Sequence, residues 1–207
     1  MDISYLGSGS VRISGRSIEI VTDPQPGLKA KANVVTLSAP AEVVEGGYGL
    51  IDGAVVLQDP GEYEVKGVHI NAVPARLHID ESGRRGTVYS ISVDGINVVV
   101  LGNISGKLDD SQVEPLGQID VLVVPVGGGG LTLDAEGAAE VVAQLEPTWV
   151  VPVHFDDGVT KYPVPQASVE AFLQEMGTKP EPVNKFKVGA KDPSLDTQVV
   201  VLNRVVA

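Results

Sequence analysis

Short runs of apolar residues, each broken by a glycine- or proline-containing turn, fill the first hundred residues and show little helical periodicity. "ISYL", "VRIS", "SIEIV", "NVVTL", "GAVVL", "VHINAV", "TVYSISV" and "INVVVL" are rich in Val, Ile and Tyr, the side chains that suit a pleated, half-buried surface. They read as strands. Between them stand "SGS", "PQPG", "EGG" and "DG", and "VDGI" at 93–96 is a strong hairpin signal, because Asp-Gly readily supplies the two left-handed residues of a tight turn.

After Leu101 the pattern changes to helix alternating with strand. Asp109 opens "DDSQVEPLG", whose Asp-x-x-Gln spacing predicts a short capped helix, and "IDVLVVPV" follows as a continuous apolar strand. In "TLDAEGAAEVVAQLEP", Ala135, Ala138, Ala139, Val142 and Leu145 fall at helical spacing, with Thr132 as N-cap and Pro147 as stop. The strand "TWVVPVHF" comes next. A last helix is expected in "PQASVEAFLQEMG", with Val169, Phe172, Leu173 and Met176 on one face, before a final strand "TQVVVL". Buried Val-rich strands alternating with helices imply a covered sheet, and the β-rich first half must supply a second one. The expected architecture is an α/β, four-layer αββα sandwich in a single domain, 1–207, with a possible internal duplication seam near 101.

Composition narrows the partners. With 207 residues and 43% hydrophobic content the chain can bury one sizeable core. The formal charge of −12 argues against nucleic acid and anionic membrane surfaces, which select basic stripes. Cysteine is absent, which removes disulfides, thiolate metal sites and cysteine nucleophiles. No apolar run approaches the ~18 residues of a membrane span, and the first residues do not read as a signal peptide, so a soluble cytoplasmic protein is expected.

Local motifs offer limited chemistry. "GSGSVR" at 7–12 places Arg12 where a dinucleotide fingerprint needs its third glycine, and "GGGG" at 127–130 is not followed by Lys-Ser/Thr. Both read as turns. "PVHFDDG" at 152–158 sets His154 at the C-terminal end of an apolar strand, where α/β sheets commonly place ligand-binding groups, although one imidazole is neither a metal site nor a triad. Ser8, Ser10 and Ser38 lie in turns without a nucleophile elbow, and Glu62 and Glu64 share one face of a strand as surface carboxylates usually do.

Taken with "TDP" at 22–24, "PGEYEVKGV" at 60–68, "DVLVVPVGG" at 120–128 and "LEPTWVVPVHF" at 145–155, the order of segments from Ile3 to about Met176 resembles the metallo-β-lactamase fold superfamily, in particular its ascorbate phosphate lactonase-like branch. The resemblance implies one or two metal ions, usually zinc, activating water for hydrolysis. Its key His-x-His-x-Asp-His motif falls here on Ala39-Pro40-Ala41-Glu42-Val43-Val44. Where relatives read "HLGDLGH", this chain reads "VLGNISG", which puts Val100 and Gly106 at histidine positions and Asn103 at a bridging carboxylate. His78 and Asp80 lie near a His-Asp pair of the family, and His154 is the one clear ligand position kept.

A catalytic zinc normally needs three protein ligands. The expectation is therefore a degenerate site without metal or other cofactor. Its vestigial pocket would be formed by His154, Asn103, Asp23, His78, Asp80 and Ser38, and no catalytic residue is assigned. The expected role is binding of a small molecule or a protein partner, with a homo-oligomer left open. The alternative is a lactonase- or esterase-type hydrolase using a rebuilt site around His154.

Overall fold

A computed structural model describes residues 1–44, 46–78, 85–189 and 196–205. Five strands open the chain: β1 (Asp2–Gly7), β2 (Ser10–Ser14), β3 (Glu19–Thr22), β4 (Val34–Thr36) and β5 (Val55–Leu57). Four more follow, β6 (Gly61–Val65), β7 (Val68–Arg76), β8 (Arg85–Val93) and β9 (Ile96–Val100), and then helix α1 (Asp110–Val113). The remainder is β10 (Val121–Pro125), α2 (Ala135–Leu145), β11 (Trp149–Val153), α3 (Val169–Glu175), β12 (Phe186–Lys187) and β13 (Gln198–Val199).

The strands form two mixed sheets, a 6-stranded sheet in the order β12-β1-β2-β3-β4-β5 and a 7-stranded sheet in the order β13-β11-β10-β9-β8-β7-β6. The chain passes from the first sheet to the second between Leu57 and Gly61 and returns to the first for β12. Ile3, Tyr5, Val11, Ile13 and Ile20 from one sheet share a continuous core with Ile70, Val88, Ile91 and Val98 from the other. Tyr89 ties the two together, since its hydroxyl lies 2.9 Å from the Leu37 carbonyl and 2.8 Å from that of Leu57. Helices α2 and α3 pack on each other, and α2 lies on β10.

Several local expectations are met for the stated reasons. Val93 pairs with Ile96 across Asp94 and Gly95, both left-handed at φ 54° and 82°. Asp109 and Gln112 form a reciprocal capping box on α1. The N-cap of α2 differs: Asp134, not Thr132, accepts from the Gly137 amide. Thr132 is committed elsewhere, its hydroxyl accepting from the Gly128 amide at 3.0 Å and donating to the Leu133 carbonyl. No helix among the described residues is long and apolar enough to cross a membrane.

Candidate functional site

β3 and β4 run parallel to each other in one sheet, as do β9, β10 and β11 in the other. Their C-terminal ends therefore gather side chains along one edge, as in α/β sheets generally. Asp23 follows β3, Ser38 follows β4, Asn103 follows β9 and His154 follows β11. These four residues line one cavity of about 350 Å³, joined by Ser8 and Gly9 from the β1–β2 turn and by Tyr48, Thr160 and Tyr162 from loops. His78 is not on its wall. The imidazole Nδ1 of His78 instead lies 3.2 Å from the Gly130 carbonyl, while its neighbour Leu77 faces the cavity. Asp80 falls outside the described residues.

The backbone around the cavity is held in an uncommon conformation. Ser8, Asp23 and His154 take φ of 52°, 39° and 52°, in the left-handed region that non-glycine residues seldom adopt. Such strain persists only where neighbours enforce it. The Asp23 carboxylate accepts from the Ser38 amide at 2.7 Å, and the His154 amide donates to the Ser8 carbonyl at 2.7 Å. A Cβ built on Gly9 would stand 3.9 Å from His154 Cδ2 and 4.0 Å from Asp23 Oδ2, so both functional groups border the same small space.

Burial sets the protonation of these two groups. It pushes Asp23 up to about 6, against hydrogen bonds from Ser38 and Tyr48 that favour the carboxylate. Part of the residue still opens on the cavity, although its carboxylate lies deep among protein atoms. His154 is 7% exposed, and burial depresses it to about 4, so the ring is neutral at pH 7. Among the described residues its buried Nδ1 has no hydrogen-bond partner, and neither Asn103 nor the "TDP" turn holds it. The Gln166 side chain lies beside the ring and partly offsets the depression, and the Tyr162 ring packs 4.7 Å away.

Sequence reasoning passed over Tyr48, Tyr162 and Arg204. The Tyr48 hydroxyl accepts from the Ala39 amide at 3.2 Å. Arg204 Nη1 donates to Asp157 at 3.1 Å and to Thr160 at 2.9 Å, and Nη2 reaches Gln25 at 3.4 Å, so the C-terminal segment braces two walls of the cavity. A signal did exist for the tyrosines: with aromatic content of only 4%, two of them stand in the glycine- and proline-rich loops "EGGYGL" and "TKYPVP".

Among the described residues, the positions that the resemblance assigns to metal ligands do not bring a ligand set to the cavity. Ala39 is buried on the cavity wall and Val44 lines it, Ala41 is exposed, Val100 belongs to the core and Gly106 borders a separate groove. Among the described residues, His154 and Asp23 are the cavity's one imidazole and one carboxylate, and no three His, Cys, Asp or Glu side chains converge. Zinc needs a third protein ligand beyond those two.

Comparison with known proteins gives concordant results. Residues 2–154 match the family model described as a beta-lactamase superfamily domain. A UPF0173 metal-dependent hydrolase of Thermococcus onnurineus is 32% identical over 126 residues, 58% of this chain and 54% of the relative. One from Pyrococcus horikoshii is 31% identical over 128 residues, covering 59% of this chain and 54% of its own. The chain thus spans about half the length of the curated relatives it matches. A solved Thermotoga maritima structure of the metallo-beta-lactamase superfamily superposes with a TM-score of 0.76 at 29% identity, covering 98% of this chain and 99% of that one. The metallo hydrolase Igni18 of Ignicoccus hospitalis shares the fold at a TM-score of 0.64 and 18% identity, over 91% of this chain and 99% of its own. With a family model matched over most of its length and a fold of two mixed sheets to go with it, the chain belongs to the beta-lactamase superfamily.

Proposed function

We propose that this chain is a binding protein on a hydrolase fold, a pseudoenzyme whose cavity takes a small ligand without a metal ion. The observation that carries the reading is the persistence of the cavity at the strand ends with Ala39 and Val44 on its wall where ligands would stand. Serine, tyrosine and asparagine side chains still offer hydrogen bonds there, and a neutral His154 adds another polar group. Tag-free protein should carry no stoichiometric zinc, iron or manganese by elemental analysis, and EDTA should leave its thermal midpoint unchanged. One metal per chain, or a fall of several degrees on chelation, would overturn the proposal.

A second reading, a lactonase- or esterase-type hydrolase rebuilt around His154, draws on the strained His154 and Asp23 bordering one space. A ring held near 4 is a poor base at neutral pH, which counts against it. His154→Ala should leave metal content at background and cost roughly 1–3 kcal/mol through the hole it opens. Unchanged stability together with loss of a measurable lactone or ester hydrolysis would instead make His154 catalytic.

A further inference from the structure

Toward the opposite end of β3 and β4 from the cavity, a second concavity is lined by Arg12, Ser14, Glu19, Lys29, Ala30, Lys31 and Lys185. Four cations against one carboxylate is an unusual concentration in a protein with a net charge of −12. Their placement follows from the strand pattern. Val11 and Ile13 on β2 enter the core, so Arg12 between them projects from the outer face of the sheet, flanked by Ser4 and Val21 in the pairing register.

The Arg12 side chain is half-buried and makes no hydrogen bond or ion pair among the described residues, and its Nε is closed off from solvent. A guanidinium left in that state is costly unless something completes it. The nearest acid on the groove is already engaged, since Glu19 Oε2 accepts from the Ser14 hydroxyl at 2.8 Å. Lys185 is held by Asp2 at 3.4 Å, whereas Lys29 and Lys31 are exposed and make no ion pair among the described residues.

We propose that this groove is an anion site for a phosphate group, either free phosphate or a phosphomonoester, with Arg12 presenting its planar donor fork and Lys29 and Lys31 closing over the charge. A dianion meets the guanidinium of Arg12 from the open side of the groove, through the Nη groups, and neutralises the two exposed ammonium groups at once. The site is independent of the cavity and of any function assigned to it.

Calorimetric titration of the full chain with inorganic phosphate, and separately with glycerol phosphate, tests the proposal at low ionic strength. Saturable binding of at least one is expected, weakening as salt is added. Tighter binding of the ester identifies a phosphorylated metabolite as the occupant, and equal binding identifies phosphate itself. Arg12→Met, which keeps the apolar stem, should weaken binding at least tenfold. The exposed pair Lys29→Gln/Lys31→Gln should weaken it severalfold while leaving the thermal midpoint in place, so this arm reads out even where the Arg12 variant folds poorly. Absence of saturable binding to either anion, or affinities that survive the Lys29→Gln/Lys31→Gln change, would overturn the site.

Discussion

Gly102→Ala is expected to destabilise the protein by roughly 2–5 kcal/mol, combining left-handed backbone strain with overpacking. Gly102 sits at φ 61°, and a Cβ there would stand 2.3 Å from Ser38 Cβ and 2.5 Å from Ser38 Oγ. Ser38 has nowhere to retreat. Its amide is fixed by Asp23 at 2.7 Å and its carbonyl accepts from the Thr87 amide at 2.8 Å. The pinch between these two loops joins the sheets at the cavity, so the damage should be felt there first. Gly130→Ala supplies the control, because Gly130 is equally left-handed at φ 77° but faces open space. Denaturant titration should find that control costing only the backbone part, about 1–2 kcal/mol. Equal losses in the two variants would mean that the Ser38 contact is unimportant.

Asp23→Asn should have the opposite sign, raising stability at pH 7–8 by roughly 1–2 kcal/mol. Folding lifts the Asp23 carboxyl from 3.8 to about 6, so its favourable contribution is complete below 3.8 and is lost as the pH rises through 6. At neutral pH the ionised group is therefore a burden. A shift of about two units has a ceiling of about 3 kcal/mol, and solvent reaching the residue through the cavity reduces it. Asparagine keeps an oxygen for the Ser38 amide and sheds the charge. His154 works the other way: folding lowers it from 6.5 to about 4, so its contribution is present above 6.5 and lost as the pH falls through 4. The native chain should show these two slopes opposing each other between about pH 4 and 6.5. In Asp23→Asn the histidine slope should stand alone, with the variant's advantage gone by about pH 4. Identical stabilities at pH 7 would contradict the burial argument.

What could be read beforehand was whatever depends on near neighbours. The Asp94-Gly95 hairpin and the Asp109–Gln112 capping box are written in adjacent residues and form as read. Thr132 misled because a hydroxyl placed correctly for a cap was claimed by Gly128, a contact set by the glycine-rich loop and not by helix propensity. The pair strand β12 carries no pattern of its own, since two residues become a strand only because β1 offers an edge. The site divides in the same way. His154 was legible from its place at the end of an apolar strand, whereas Asp23, Ser38 and Asn103 followed from the family resemblance; the strands before them run parallel within each sheet, and all four line one cavity. Tyr48 and Tyr162 reach the cavity from loops, and Arg204 holds the wall residues Gln25 and Thr160 from near residue 205, where no local periodicity points inward.

The pairing of β1 with β12 also governs timing during synthesis. Asp2 meets Lys187, and Tyr5 bridges to Arg204, so β1, once synthesised, waits on that edge for partners made much later in the chain. At about 5–20 residues per second, that edge stays uncovered for roughly 10–40 s. During that interval β1, which carries Ile3 and Tyr5 that are sealed from solvent once folded, is paired with β2 on one side only and offers its other edge to a foreign strand. Nascent chains should consequently lean on chaperones until β12 arrives, and premature termination before residue 186 should yield aggregates in place of a smaller folded protein.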